Sequence, residues 1–354
     1  MDELVSVVIP AFNAAATLTE TVHSALRQSH GRIEVIIVDD GSTDSTLELA
    51  RGLAAADLRV RIIESSNQGV ATARNQGIDA ARGGFIAPLD ADDLWHPEKL
   101  ARQLERFASG PASLGLVYNW FRRIDTGGRV VEAPAAPVVE GWVLHRHLDW
   151  NFVSNGSTPL IRRRALGDLR YDPALQAAGA QGCEDYLLQL QLALDHEFAC
   201  VPAYLTGYRR TAGAMSTDAG RMIRSHLAMY HVVWPRLGPT ARRLARSRMA
   251  GFYAEYSRNR LRRGRIAETL GAIGQAFASD PLGAPIRLGE QARLAFVYLQ
   301  RERRGGPPAG PAGLHFDDHE MAPNDVPSEP RRRLERFRRL AVFDEAYGRA
   351  KAWG

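Results

Sequence analysis

The chain has 354 residues, 45% of them hydrophobic and 24% charged, enough for a full core and more than one structural unit. Two cysteines, Cys183 and Cys200, are too few for a disulfide framework and lack zinc spacing, which argues for a reducing compartment. The net charge of +5 divides unevenly: residues 1–216 carry 20 Lys/Arg against 26 Asp/Glu (−6), and residues 217–354 carry 25 against 14 (+11).

The opening "MDELVSVVIP" has neither the basic nor the apolar region of a secretory signal, and no apolar stretch is long enough to span a bilayer. A cytoplasmic protein, or one peripheral at the inner membrane face, is expected. "LVSVVIP" reads as a buried strand, followed by the helical "TLTETVHSALRQS", where Thr17 and Glu20 have capping-box spacing. "IEVIIVDD" is a second strand and "STLELARGLAA" a second helix, with Ser45 and Glu48 repeating that spacing. "RVRIIE", "GVATARNQGIDAAR" and "GFIAPL" continue the alternation, with strand pairing ending near Pro88. Apolar strands separated by short amphipathic helices predict an α/β fold, a parallel sheet covered on both faces.

Residues 111–180 are less regular. "GLVYNWFRRIDTGGRVVE" predicts two strands about a Thr-Gly-Gly turn, "CEDYLLQLQLALDH" a helix, and "FACVPAYLTGYRR" a strand. Residues 221–304 are helical in pattern, "GGPPAGPAG" opens a Pro/Gly-rich stretch expected to be disordered to about Pro330, and a basic helix follows. The divisions are therefore 1–216 (halves 1–110 and 111–216), 217–304, 305–330 and 331–354.

Ligands of open parallel sheets bind beyond the carboxyl ends of the strands. Those ends read Pro10-Ala11-Phe12-Asn13, Asp39-Asp40-Gly41-Ser42, Glu64-Ser65-Ser66-Asn67 and Asp90-Ala91-Asp92-Asp93. The edge is acidic and has no glycine fingerprint for bare phosphate. Asp90 and Asp92, two apart in an extended segment, project to one side, and two oxygen ligands with open positions suit Mg2+ or Mn2+ shared with substrate phosphates. Taken alone, Asp-x-Asp also describes a solvated strand end, and Asp39-Asp40-Gly-Ser a turn or helix cap.

With "VSVVIPAFNAAATLTETVHSALRQS", "IEVIIVDDGSTDST", "NQGVATARNQGIDAARGGFIAPLDADD" and "GCEDYLLQLQLA" read, the chain resembles a family 2 glycosyltransferase of GT-A fold. The resemblance runs over about residues 4–110, thins towards 216 and stops there. It implies a Rossmann-like, mostly parallel sheet and inverting transfer of a sugar from a nucleotide-diphosphate donor to a glycan or lipid-linked acceptor. It implies that Pro10, Ala11, Phe12 and Asn13 line the nucleotide pocket, Phe12 facing the base. Asp40, with Asp39 beside it, would accept from the base, and Arg74 would lie near the nucleotide. Asp90 would face the ribose or a metal-bound water, with Ala91 between it and Asp92, the metal ligand. Asp93 points the other way.

The family's general base is the Asp of a Glu-Asp pair, here Asp185, with Glu184 orienting it or touching the acceptor. On the bland reading, both acids merely stabilise a helix N-terminus. "YRRTAGAMS" resembles a mobile loop in which Tyr208, Arg209 and Ser216 close over the phosphates, although Thr211 stands where relatives often carry histidine. His145 and His147 read as non-ligands, and Trp120, Trp142 and Trp150 as packing or sugar-stacking residues. Asn155-Gly156-Ser157 matches an N-glycosylation acceptor sequence, which means little without a secretion signal.

Two other readings compete. A receiver-type phosphoacceptor needs its acid pair on the first strand and a lysine ending a later one; here only Lys99 is near. A nucleotidyltransferase wants a Gly-rich basic loop where this chain has "PAFNAAATL". The basic C-terminal half fits an anionic membrane face, a solvated extension or an oligomer contact. No aromatic-interleaved basic motif points to nucleic acid.

Overall fold

The computed structural model describes residues 3–134, 137–210, 218–302, 315–316 and 330–352. Four parallel strands open the chain: β1 (Val5–Ala11), β2 (Ile33–Asp39), β3 (Val60–Glu64) and β4 (Phe85–Pro88). Helices α1 (Leu18–Leu26), α2 (Thr46–Ala56) and α3 (Val70–Ala80) form the crossovers. Every residue of β1 and β2 is buried, so alternate side chains feed two cores. Val8, Ile36 and Val38 enter one, and Val7, Ile9, Val35 and Ile37 the other.

A two-residue β5 (Leu94–Trp95), absent from the sequence expectation, and α4 (Lys99–Ala108) lead into the hairpin of β6 (Leu114–Ile124) and β7 (Val130–Glu132). The irregular segment holds α5 (Leu144–Asp149), β8 (Leu160–Arg162), α6 (Arg163–Leu166) and α7 (Ala174–Ala177). Next come α8 (Glu184–Ala193) and β9 (Glu197–Arg209). Sheet order is β3-β2-β1-β4-β8-β6-β9-β5, with β7 on β6. β8 runs antiparallel to β4 and β6, and β9 parallel to β6.

Neither expected capping box forms. Thr17 instead donates to Ala91 O (2.8 Å), and Glu20 pairs with Arg209 (2.7 Å). The start of α2 is held by Asp44, whose Oδ1 accepts from Thr46 N (3.0 Å), rather than by Ser45. In both cases a long-range or neighbouring partner outcompetes the local cap.

Helix α9 (Ala219–Val233), a 3-10 turn (Trp234–Arg236), α10 (Pro239–Arg262), α11 (Ile266–Ser279) and α12 (Ala284–Glu302) form the helical extension. The last helix, α13 (Arg331–Ala352), returns to pack on α5. Buried Asp344 accepts from His145 N and Arg146 Nε, both at 2.7 Å, and Phe337 lies 5.7 Å from Trp150. Trp142 packs on Tyr347 and Trp120 on Tyr204, in line with the packing role. His147 is enclosed by Phe152, Tyr186 and Phe198, and burial pushes its pKa down to about 3. Of the expected disordered stretch 305–330, only His315, Phe316 and Pro330 are among the described residues. Phe316 contradicts disorder at its position: its N–H donates to Gly128 O (2.9 Å) and its ring is buried against Leu94 and Ile124.

Candidate active site

The carboxyl ends of β1, β2 and β4 bring the predicted polar residues to one edge. Ala11 O accepts from Asp40 N (2.8 Å), and Asn13, at φ +51°, accepts at Oδ1 from Thr43 N (2.8 Å). The two loops are thereby tied together, with Pro10 and Ala11 buried in β1 and Phe12 left 46% exposed on the rim. Asp40 is buried and fully occupied: Oδ1 accepts from Gln68 N (2.8 Å) and Oδ2 from Gly69 N (2.7 Å). Gly69 sits at φ +90° with the Gln176 side chain against its Cα, so a side chain there is excluded. Asp39 accepts from Ser42 N (3.2 Å) through Oδ2 only, and its buried Oδ1 has no partner. Both Asp40 oxygens are thus taken by the loop before α3, while Asp39 keeps one unpartnered oxygen.

The loop after β4 is pinned by α1. Thr17 and Thr21 donate to Ala91 O (2.8 and 3.0 Å), and Thr21 also to Asp93 O (2.9 Å). Asp93 turns inward, as its alternation predicts, accepting from Ser157 Oγ (2.6 Å), Asn155 Nδ2 (3.3 Å) and Arg209 N (2.9 Å). Ser157 Oγ in turn accepts from Asp90 N (3.0 Å). Asn155 is buried inside this network, which removes it as an accessible glycosylation acceptor. Asp90 pairs with buried Arg74, whose guanidinium lies 5.0 Å from the Tyr171 ring centroid. Burial opposes the charge on Arg74, but Asp90 outweighs it and holds the guanidinium protonated.

Asp92 remains half-buried on the open side. Burial, then the charge of Asp90, pushes its pKa up to about 6, and the same two causes with Asp92 drive Asp93 well above the usual carboxylate range. Arg209 and Arg74 pull the Asp92 pKa the other way without outweighing these causes, and Arg209 does not pair with these acids: it is 1% exposed, and its side-chain donors go to Asp92 O (2.7 Å), Asp125 O (3.1 Å), Thr126 O (2.6 Å) and Glu20 (2.7 Å). The expectation that Arg209 closes over phosphates is corrected here, since its guanidinium buttresses the acidic loop from behind. Tyr208 begins that expected mobile loop; Thr211 and Ser216 lie outside the described residues.

From the opposite wall, α8 delivers its first turn. Glu184 is buried, accepting from Gly182 N (2.9 Å) through Oε2, while Oε1 is unpartnered. Asp185 looks into the cleft: a Cβ on Gly156 would lie 3.3 Å from Arg74 Nη2 and Asp90 Oδ2 and 3.8 Å from Asp185 Oδ2. Burial lifts the Asp185 pKa to about 6 against the opposing pull of Arg74. A carboxylate that titrates there is free to take a proton near neutrality.

Sequence reading did not single out Glu20, Thr21, Tyr171, or Asn155 and Ser157 as site-building groups. The Asn-Gly-Ser corner carried a turn signal, but its partner Asp93 lies more than sixty positions away. Lys99, needed by the receiver reading, is wholly buried and donates to Gln103 Oε1 (3.0 Å) 4.0 Å from the Trp95 ring centroid, away from the acids.

The mostly parallel α/β sheet, with an acidic loop at its carboxyl edge and a carboxylate opening α8, belongs to the GT-A class of fold, as comparison with solved structures shows. Residues 6–165 match the glycosyl transferase family 2 model. The chain is 31% identical over 334 residues to the succinoglycan biosynthesis protein ExoO of Rhizobium meliloti, covering 87% of this chain and 91% of that protein. It is 45% identical over 103 residues to the putative teichuronic acid biosynthesis glycosyltransferase TuaG of Bacillus subtilis, covering 29% of this chain and 41% of TuaG. The matched stretch thus spans less than half of that relative. The mannosyltransferase PcManGT from Pyrobaculum calidifontis, solved with GDP-Man and Mn2+, superposes with a TM-score of 0.55 at 19% identity, covering 84% of this chain and 82% of that one. The chain belongs to glycosyltransferase family 2.

Proposed function

We propose that the chain is an inverting glycosyltransferase that moves a sugar from a nucleotide-diphosphate donor to a hydroxyl of a glycan or lipid-linked acceptor, in surface polysaccharide biosynthesis. The relatives' names support the last element, and the site supports the chemistry. One observation carries the reading: Asp185 faces Asp90 and Arg74 across the space above Gly156, so a proton acceptor confronts the donor side of the cleft.

Phe12 and Asp39, the latter with an unpartnered oxygen, receive the base; Asp40 shapes the loop beneath them. Arg74 fixes Asp90. Asp185 takes the proton from the attacking hydroxyl, which adds at the anomeric carbon opposite the leaving diphosphate. Glu184 Oε1, buried and unpartnered, orients the acceptor or Asp185 itself.

The acidic cleft fits Mg2+ or Mn2+ held by Asp92 and by the Asp90 oxygen not given to Arg74, since two carboxylates with open positions match a cation that also takes donor phosphates. Such a cation supplies charge stabilisation for the leaving diphosphate. Among the described residues no cluster of three or more His, Cys, Asp or Glu is arranged to hold a metal alone.

A nucleotide-sugar panel with Mn2+ or Mg2+ tests the reading. Nucleoside diphosphate release and an inverted product are expected, whereas pyrophosphate release would establish a nucleotidyltransferase. Calorimetry in which donors bind equally well with and without EDTA would remove the cation.

The +11 charge of residues 217–354 supports a further element, peripheral contact with an anionic membrane face where lipid-linked acceptors reside. No helix among the described residues is long and apolar enough to cross a membrane. Vesicle co-sedimentation indifferent to anionic lipid would dismiss this contact.

A further inference from the structure

His315 and Phe316 follow Arg209 by more than a hundred positions, yet they return to the back of the acidic loop. The strand that leaves this loop is short. β5 begins directly after Asp93, has two residues and lies at the edge of the sheet, pairing Leu94 with Gly207 and Trp95 with Thr206. A strand of that length is held mainly by what packs on it. Phe316 packs on the first of those pairs. It is 1% exposed, in a socket of Leu94, Ile124 and Val130. A Cβ added to Gly207 would lie 3.1 Å from the ring and 3.2 Å from Ile124 Cδ1, so position 207 is kept bare where the ring sits.

The backbone of these two residues is fastened as well. Phe316 N donates to Gly128 O (2.9 Å), and His315 forms an antiparallel bridge with Arg129. Gly128, at φ +76°, makes room for the imidazole: a Cβ there would collide with His315 Nε2. That nitrogen lies 3.3 Å from Glu20 Oε1, and the other Glu20 oxygen accepts from Arg209 (2.7 Å). The contacts converge. Arg209 holds the hairpin turn at Asp125 O and Thr126 O, the acidic loop at Asp92 O, and the Asp93 carboxylate through its own N–H. His315 and Phe316 hold the same turn at Gly128 O, the same arginine through Glu20, and the residue after Asp93 through the buried ring.

We propose that His315 and Phe316 are positioning residues for the donor site, a fastening that keeps Asp92 where it meets the cation and the donor diphosphate. Its catalytic consequence rests on the proposed function; the fastening itself does not. A group that only adds stability weakens every property of the fold together. A fastening on this loop acts on donor affinity and leaves proton transfer at Asp185, on the opposite wall, unchanged.

Phe316→Ala and His315→Ala in the full chain test it, beside Phe316→Leu and His315→Gln, which keep an apolar group in the socket and a donor towards Glu20. Amide exchange is expected to quicken at residues 91–95 and 205–209 in both alanine variants, with α3 and α8 unchanged. Calorimetry with UDP, dTDP or GDP, each with Mn2+, is expected to show that the nucleotide wild type binds is held about tenfold more weakly. The donor KM is expected to rise alongside, with kcat within about twofold of wild type. Phe316→Leu and His315→Gln are expected to recover most of both losses. Phe337→Ala, which empties a buried site on α13, is expected to lower Tm with neither change. Unaltered exchange at both stretches, an equal loss of donor affinity in Phe337→Ala, or a fall in kcat with KM unmoved overturns the proposal. If wild type binds none of the three nucleotides, the donor reading fails and the exchange result alone decides the fastening.

Discussion

Asp185 and Arg74 work against each other at a single point. Burial raises the Asp185 pKa to about 6 and Arg74 lowers it, so the residue is protonated below that pH and competent as a base above it. Turnover should therefore rise with pH through about 6 and level off. Asp185→Asn is expected to reduce kcat by roughly 10²–10⁴-fold with donor affinity unchanged. Removing the cation with Arg74→Gln is expected to shift the midpoint of the pH profile upward by about one unit or more; an unmoved midpoint would show that Arg74 does not act on the base. Asp92→Ala is expected to abolish metal-dependent donor binding, read by calorimetry, because it removes the outward carboxylate. The placement of Asp90 and Asp92 beyond β4 and of Asp185 at the start of α8 could be read from spacing and resemblance. Which of Asp39 and Asp40 the loop at Gln68 and Gly69 captures could not, since that contact spans nearly thirty residues.

Elements explain why the acidic loop stays in place. The α1 hydroxyls of Thr17 and Thr21 grip its carbonyls, and Arg209 at the end of β9 grips Asp92 O while Glu20 of α1 grips Arg209. Thr21→Val keeps the shape of the side chain but leaves the Asp93 carbonyl short of a donor, while Ala91 O keeps Thr17, a cost of about 1–3 kcal/mol. Denaturant titration should show that loss together with weaker metal-dependent donor binding. Helix α13 plays the equivalent part for α5. Asp344 satisfies the start of α5, so Asp344→Ala leaves His145 N and Arg146 Nε without their acceptor, although Arg146 Nη2 keeps Glu140 O and Trp142 O, and is expected to cost about 3 kcal/mol. The capping boxes at Thr17 and Ser45 were misread for the same reason that these elements are stable: short polar side chains bond to whichever buried group is nearest, and the fold supplied nearer ones.

At the scale of the whole molecule, the acidic front half carries the acidic strand ends and the basic back half the helices α9–α13. Phe316 and the helix α13 both return to the front half, one beside β6 and β9 and the other on α5. The order of strands and helices up to β4, the edge at which ligand chemistry gathers, and the family were written in the chain. They follow from local periodicity, from strand-end composition and from motif order, all of which act over a few residues. Tertiary structure alone decided which acid is half-exposed, that Arg209 supports the loop instead of reaching across it, and that the last helix packs on α5. Each of those outcomes is a competition between partners distant in sequence, and burial settles it by making an unpaired polar group or an exposed apolar one costly in ways no local pattern encodes.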